Sequence, residues 1–324
     1  MNNRSADLTV IIPFLNEASE IRNTVANLRD TAEGTVDILL INDCSNDGYD
    51  YKAVAQQYDT GYVEHRHRIG VAASRNEGVS LAKTDYVLLL DGHMRFPQNG
   101  WDILLMKYLP KDHRAVWCGN TLILNREDDG TVVWKDTYPS YGAYMELDKE
   151  AWGICWNYYD PNPDEDVCDI PCLLGACYAF HKSYWEKLIG LEGLQQYGLD
   201  EQFLSYKVWM EGGRCKLIKS LQAGHLYRKK FPYRMTDNYV EFNRMFMTEL
   251  LLDGELRASF RKRIIHKNGV AAYMKFAERI NSQAEELERM RGKINALRQV
   301  SFEEIAEMNR KVAEKNKTTQ TIRR

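Results

Sequence analysis

The sequence predicts an α/β fold, a mostly parallel sheet flanked by helices and followed by a helical extension, on three observations. Over the first hundred residues, short apolar runs alternate with amphipathic stretches, the pattern of βαβ units. Polar clusters close three of the apolar runs, at Pro13-Phe14-Leu15-Asn16-Glu17, Asn42-Asp43-Cys44-Ser45-Asn46-Asp47-Gly48 and Asp91-Gly92-His93, and parallel sheets hold ligands at the carboxyl ends of their strands. After about residue 236 the composition shifts to helix formers.

Taken in order, strands are expected at residues 8–13, 36–41, 61–64 and 85–90. Helices are expected between them at 17–30, 49–58 and 71–82, with Asn16 and Asp47 or Gly48 as caps and entry turns. Asp128-Asp129-Gly130, between Thr121-Leu122-Ile123-Leu124 and Thr131-Val132-Val133-Trp134, reads as a hairpin turn. The acidic stretch from Asp160 to Asp169 reads as a loop. In the tail, Ile280, Leu287, Met290, Ile294 and Leu297 fall on one helical seam, and Ser301-Phe302-Glu303-Glu304 is a capping-box pattern. That seam is shorter than the three or four heptads of a coiled coil, so packing on the sheet domain is expected, with a homodimer as the alternative.

The 324 residues allow one large domain with an appendage, or two domains. Hydrophobic residues at 44% and charged residues at 27% are ordinary for globular chains, and no apolar run approaches a membrane span. A polar stretch from Met1 to Asp7 leads directly into the first strand without a signal-like apolar region, which predicts a cytoplasmic protein. Cysteines number seven, without paired CxxC spacing, and read as buried free thiols rather than disulfides or a zinc ribbon. A net charge of −3 does not suggest a nucleic-acid binder, although the basic run from Arg228 to Arg234 suits phosphate. Neither GxGxxG nor GxxxxGK[ST] stands at a strand end, which argues against dinucleotide dehydrogenases and P-loop enzymes.

Within the strand-end segment, Asp91 and His93 lie two residues apart and project to one side in extended backbone, as a divalent-cation pair would. A strand running into a polar loop would account for the segment by itself. The other motifs point to the same place.

Leu8 to Glu17, Ile41 to Gly48, Arg75-Asn76 and Asp91-Gly92-His93 resemble the successive motifs of family 2 type glycosyltransferases. The resemblance implies the GT-A nucleotide-sugar fold, with a catalytic domain over residues 1–235 and a helical extension over 236–324. It implies that Pro13, Phe14, Asn16 and Glu17 frame the nucleotide of a UDP-sugar donor, with Asp43 on the uracil and Arg75 beside the donor. Asp91, Gly92 and His93 stand where the family has its metal-binding DxD motif. The DxH form is closest to polypeptide N-acetylgalactosaminyltransferase-like enzymes. Trp156-Asn157-Tyr158 and Ile170 to Cys177 resemble their region before the acceptor-facing strand, with Gly175 and Ala176 in place of two glycines.

Ala223 to Tyr233 resembles the segment that closes the donor site. There the resemblance implies His225 as the third metal ligand, Arg228 on the diphosphate and Tyr233 on donor phosphate or sugar. One carboxylate with two imidazoles suits Mn²⁺, or Mg²⁺ in its place. Tyr197 to Gly213 resembles an acidic motif opening a helix. Glu201 aligns with the base of inverting members, and Asp200 with a Glu of the retaining N-acetylgalactosaminyl enzymes, so the stereochemistry stays open. An inverting transferase needs a carboxylate to take the acceptor proton; an acidic first turn answering the helix dipole is the plainer reading. His65, His67, His113, His181 and His266 fall outside these motifs and read as surface or core polar residues.

These readings converge on a metal-dependent transferase moving a sugar from a UDP-sugar to a hydroxyl on a glycan, a lipid-linked glycan or a protein Ser or Thr. Hydroxymethylated bases in DNA are the alternative acceptor. Of other classes, a nucleotide-sugar pyrophosphorylase and a non-catalytic sugar-nucleotide-binding protein remain.

Overall fold

The computed structural model describes residues 6–135, 139–175, 177–228, 232 and 237–323. The chain opens as β1 (Leu8–Phe14), α1 (Ser19–Thr31), β2 (Val36–Asn42), α2 (Tyr51–Gln57), β3 (Gly61–Glu64), α3 (Val71–Leu81) and β4 (Tyr86–Leu90). β1 pairs in parallel with both β2 and β4, and β2 with β3. Every residue of β1 is buried, as expected of a central strand covered on both faces. Alternation along it then divides the core. Val10 and Ile12 face the cluster holding Ile21, Val25 and Leu28 of α1; Ile11 faces the opposite cluster with Ala72 and Val79 of α3. α3 lies close against β1 because Gly78 has no side chain: a Cβ there would stand 2.3 Å from Ile11 Cγ2.

Next come β5 (Met94–Arg95), α4 (Trp101–Tyr108), β6 (Ala115–Arg126), β7 (Val132–Trp134), β8 (Ala143–Glu146), β9 (Gly153–Trp156), β10 (Val167–Asp169), β11 (Cys177–His181), α5 (Lys182–Lys187), α6 (Asp200–Met210) and β12 (Arg214–Leu226). The sheet runs β10-β12-β6-β11-β4-β1-β2-β3, with β5 on β12 and β7 on β6. β11 is antiparallel to β4 and β6, so the sheet is mixed rather than wholly parallel. β12 carries an irregularity between Ile218 and Gln222. Beyond it the strand pairs through Gly224 and His225 with Arg95 and Met94 of β5, a bulge that re-aims a strand next to a site.

Five helices complete the chain: α7 (Asp237–Leu251), α8 (Gly254–Asn268), α9 (Val270–Asn281), α10 (Ala284–Leu297) and α11 (Phe302–Arg323). Ile280 belongs to α9, and Leu287, Met290 and Ile294 to α10. All four are buried in the cluster that includes Phe203 and Tyr206 of α6, so the apolar seam packs on the sheet domain rather than on a coiled-coil partner. The capping box forms: Ser301 Oγ meets Glu304 Oε2 at 2.6 Å, and Glu304 N donates to Ser301 Oγ at 3.2 Å. β8 and β9 form a separate two-stranded ribbon. α11 holds it through Asn309, which accepts from Met145 N at 2.6 Å, and Asn316, which accepts from Tyr158 N at 2.7 Å.

Strand positions agree with expectation to within a residue, whereas two helix starts differ. The first helix begins at Ser19 because Asn16 and Ala18 take positive φ of 55° and 48° and turn the chain away. Asn16 therefore caps nothing. The second begins at Tyr51, capped by Asp50, whose side chain accepts from Ala53 N at 3.0 Å. Asp47 instead accepts from Ala18 N and Tyr51 Oη, tying the β2 loop to the start of α1. The acidic stretch is pinned to β12 through Lys219–Asp160 at 2.9 Å and Asp166–Ser220. Among the described residues, no helix is long and apolar enough to cross a membrane.

Candidate active site

A cavity of about 480 Å³ opens where β1, β2 and β4 end. Pro13, Phe14, Glu17, Asp43, Arg75, Asp91, Gly92 and His93 line it, together with Gly175, Asp200, Glu201, His225 and Arg228. Of the expected site residues, Asn16 does not line it: its carboxamide joins the β1 and β2 loops, donating to Asn46 Oδ1 at 3.0 Å. Ala176 and Tyr233 lie outside the described residues.

Asp91, His93 and His225 turn one ligand atom each to a common point, all within 4.8 Å of one another. His93 Nε2 and His225 Nε2 are 3.1 Å apart, and His225 Nε2 is 3.6 Å from Asp91 Oδ2. Burial lowers the pKa of both imidazoles, disfavouring the charged ring. Burial works against the Asp91 charge, but His225 and Arg75 outweigh it and hold the carboxyl well below the usual range. Behind His93, Glu17 Oε2 faces Nδ1 at 3.2 Å and also pairs with Arg228. A carboxylate on the far ring nitrogen fixes the tautomer that leaves Nε2 as the ligand atom. Two imidazole Nε2 atoms beside an ionised carboxylate are a donor set that fits a divalent first-row cation. Glu17, expected to frame the nucleotide, thus lies behind His93 as well as along the cavity.

Arg75, projecting from α3 and 5% exposed, joins the two halves of the site. Its Nη1 lies 2.5 Å from Asp200 Oδ2 and its Nη2 3.0 Å from Asp91 Oδ1. Asp200 and Glu201 form the first turn of α6, but neither caps it; the N-cap residue is Leu199. The plain reading of an acidic helix start therefore leaves the Arg75 contact unexplained. Burial raises both carboxyls, and Asp200 adds its negative charge to push Glu201 up to about 7. Glu201 lies directly over Gly175, where an added Cβ would stand 1.8 Å from Oε1. A glycine is required there to admit the carboxylate.

Sequence reasoning missed part of the wall. Gln196 and Tyr197 come from the loop before α6, Val240 from α7, and the aromatics Trp156 and Tyr227 from the end of β9 and the residue after β12. Only the aromatics carried a signal, because loop and helix contributions depend on how the extension folds back.

The sequence profile of glycosyl transferase family 2 matches residues 9–184, more than half the chain. The chain belongs to glycosyl transferase family 2. Polypeptide N-acetylgalactosaminyltransferase 10 of Homo sapiens is 27% identical over 248 residues, covering 70% of this chain and 39% of that protein. Polypeptide N-acetylgalactosaminyltransferase 5 of Caenorhabditis elegans is 24% identical over 280 residues, covering 81% and 44%. This family 2 chain therefore spans about two fifths of the length of these curated relatives. The crystal structure of GalNAc-T7 with UDP, GalNAc and Mn²⁺ superposes with a TM-score of 0.68 at 20% identity, over 94% of this chain and 57% of that one. The GT-A fold expected from the motifs is the fold observed, with the C-terminal helices in place.

Proposed function

We propose that this family 2 chain transfers a sugar from a UDP-sugar to a hydroxyl acceptor, with Mn²⁺ held by Asp91, His93 and His225. The observation that carries this reading is the convergence, in one cavity, of that N,N,O ligand set with the buried Asp200–Glu201 pair, bridged by Arg75. Support also comes from its relatives, which are named as N-acetylgalactosaminyltransferases, and from a similarly folded structure that contains UDP, GalNAc and Mn²⁺.

In this reading Asp43 accepts a hydrogen bond from the nucleobase and Arg228 faces the diphosphate, where its charge answers the negative charge of the leaving group. A cation held by Asp91, His93 and His225 would supply further positive charge to the leaving group. Arg75 holds Asp91 and Asp200 in fixed relation. Glu201, free of the Arg75 pair and basic enough near neutral pH, takes the proton from the acceptor hydroxyl. Glu201 as base predicts inversion at the anomeric carbon.

The test is incubation with Mn²⁺ and a panel of UDP-sugars, following UDP release and the mass gained by glycan, peptide and hydroxymethylated-DNA acceptors. Asp91→Ala and His225→Ala are expected to abolish metal-dependent turnover. Unchanged sugar release in both would sink the reading, and a product of retained configuration would remove Glu201 from the role of base.

A further inference from the structure

His65 stands outside every motif singled out in the sequence, at the end of β3, yet both its ring nitrogens are engaged. Nδ1 lies 3.0 Å from Asp43 Oδ1 and Nε2 2.6 Å from Glu77 Oε2. Ionised carboxylates only accept hydrogen bonds, so two of them facing the two nitrogens require a ring that donates from both, an imidazolium. Burial works against that charge, and the two carboxylates more than offset it, leaving the His65 pKa raised. The other charged groups around it are Arg68, with Nε 4.0 Å from Asp43 Oδ2, the exposed Arg66 and His67, and Glu64, which pairs with Lys52 of α2.

The latch joins three elements. Asp43 follows β2 and lines the cavity; its oxygens also accept from Ile69 N at 2.7 Å and Gly70 N at 2.8 Å, the backbone that leads into α3. Glu77 lies on α3, as does Arg75. One protonated ring therefore sets the orientation of a carboxylate in the cavity and ties it to the helix that carries Arg75.

We propose that His65 is a positioning residue for the donor nucleotide: protonated, it latches Asp43 to Glu77, and losing that proton loosens nucleotide binding. This rests on the reading that Asp43 meets the nucleobase. Because the latch is made of this chain's own side chains, it is tested separately from that reading. Ring ¹⁵N shifts of the whole protein are expected to show His65 doubly protonated at pH 7, with its titration midpoint moved lower in Glu77→Gln. A neutral His65 at pH 6.5 would overturn the latch.

Calorimetry with UDP and Mg²⁺ then reads the consequence. UDP affinity is expected to fall about tenfold between pH 6.5 and 8.5 in the wild type, the scale of losing one hydrogen bond to a charged group. Glu77→Gln moves that step to lower pH, and His65→Gln binds weakly at both values with only the change that UDP and metal themselves contribute, which the comparison subtracts. A step of the same size in His65→Gln overturns the positioning role. Failure of the wild type to bind UDP at either pH, with the ring titrating as expected, overturns the nucleotide reading instead.

Discussion

Two Arg75 nitrogens, 2.5 and 3.0 Å from carboxylates on α6 and after β4, make a contact that lysine does not reproduce, since a single ammonium lacks the planar fork. Arg75→Lys is expected to lower kcat at least about a hundredfold and to reduce stability by a few kcal/mol, because Asp200 and Asp91 lose a buried partner. Steady-state kinetics and denaturant melts check both. Glu201 behaves in the opposite sense. Its pKa of about 7 in the fold lies above the ordinary 4.5, so the carboxyl is neutral in both states below pH 4.5 and its burial penalty grows as pH rises toward 7. Glu201→Gln should therefore abolish transfer yet melt a few degrees higher than wild type at pH 8, with no gain at pH 4. In the wild type, turnover should rise with pH through neutrality as the carboxyl ionises; a flat profile removes Glu201 from proton transfer. Asp91 and His93 stood out in the sequence as a pair by their spacing, and His225 and the acidic pair through the resemblance of their segments; the structure brings all five to one cavity. The Arg75 bridge and the His65 latch were not legible, since each joins residues that are distant in sequence.

Among the elements, strands were legible to a residue because an apolar run such as Leu8–Phe14 has a period and a sharp polar end. Helix starts were less so: Asn16 and Asp47 have the side chains of caps, but positive φ at Asn16 and Ala18 moves the start of α1, and Asp47 is drawn to Tyr51. The irregularity in β12 had no sequence signal at all, though it redirects His225. α11 illustrates what side chains can do where strands stop. Asn309 and Asn316, each 2% exposed, accept from backbone N–H groups beside the β8–β9 ribbon. Asn316→Ala leaves Tyr158 N–H without its partner and is expected to cost about 1–3 kcal/mol, read by urea denaturation. Ser301→Ala, which removes the capping box, is expected to cost about 1 kcal/mol.

For the whole molecule, the apolar cluster under one face of the sheet includes Leu89 of β4, Phe203 of α6, Phe246 of α7 and Ile294 of α10. We therefore expect sheet domain and extension to unfold together, in one urea transition seen alike by tryptophan fluorescence and far-UV signal; two separated transitions would divide the chain near residue 236. The fold class was legible in alternation and composition. The acceptor was not: part of the cavity wall, Gln196 and Val240 among it, comes from a loop and a helix that carry no motif. The ribbon offers a last consequence. Two strands alone are marginal, and their free edges invite pairing with another chain. Cys172 bridges Ala143 of β8, and α11 sets amides seven residues apart against Met145 N and Tyr158 N, so these groups are not offered to another chain. Loss of Asn309 and Asn316 together should appear first as aggregation of a still folded protein.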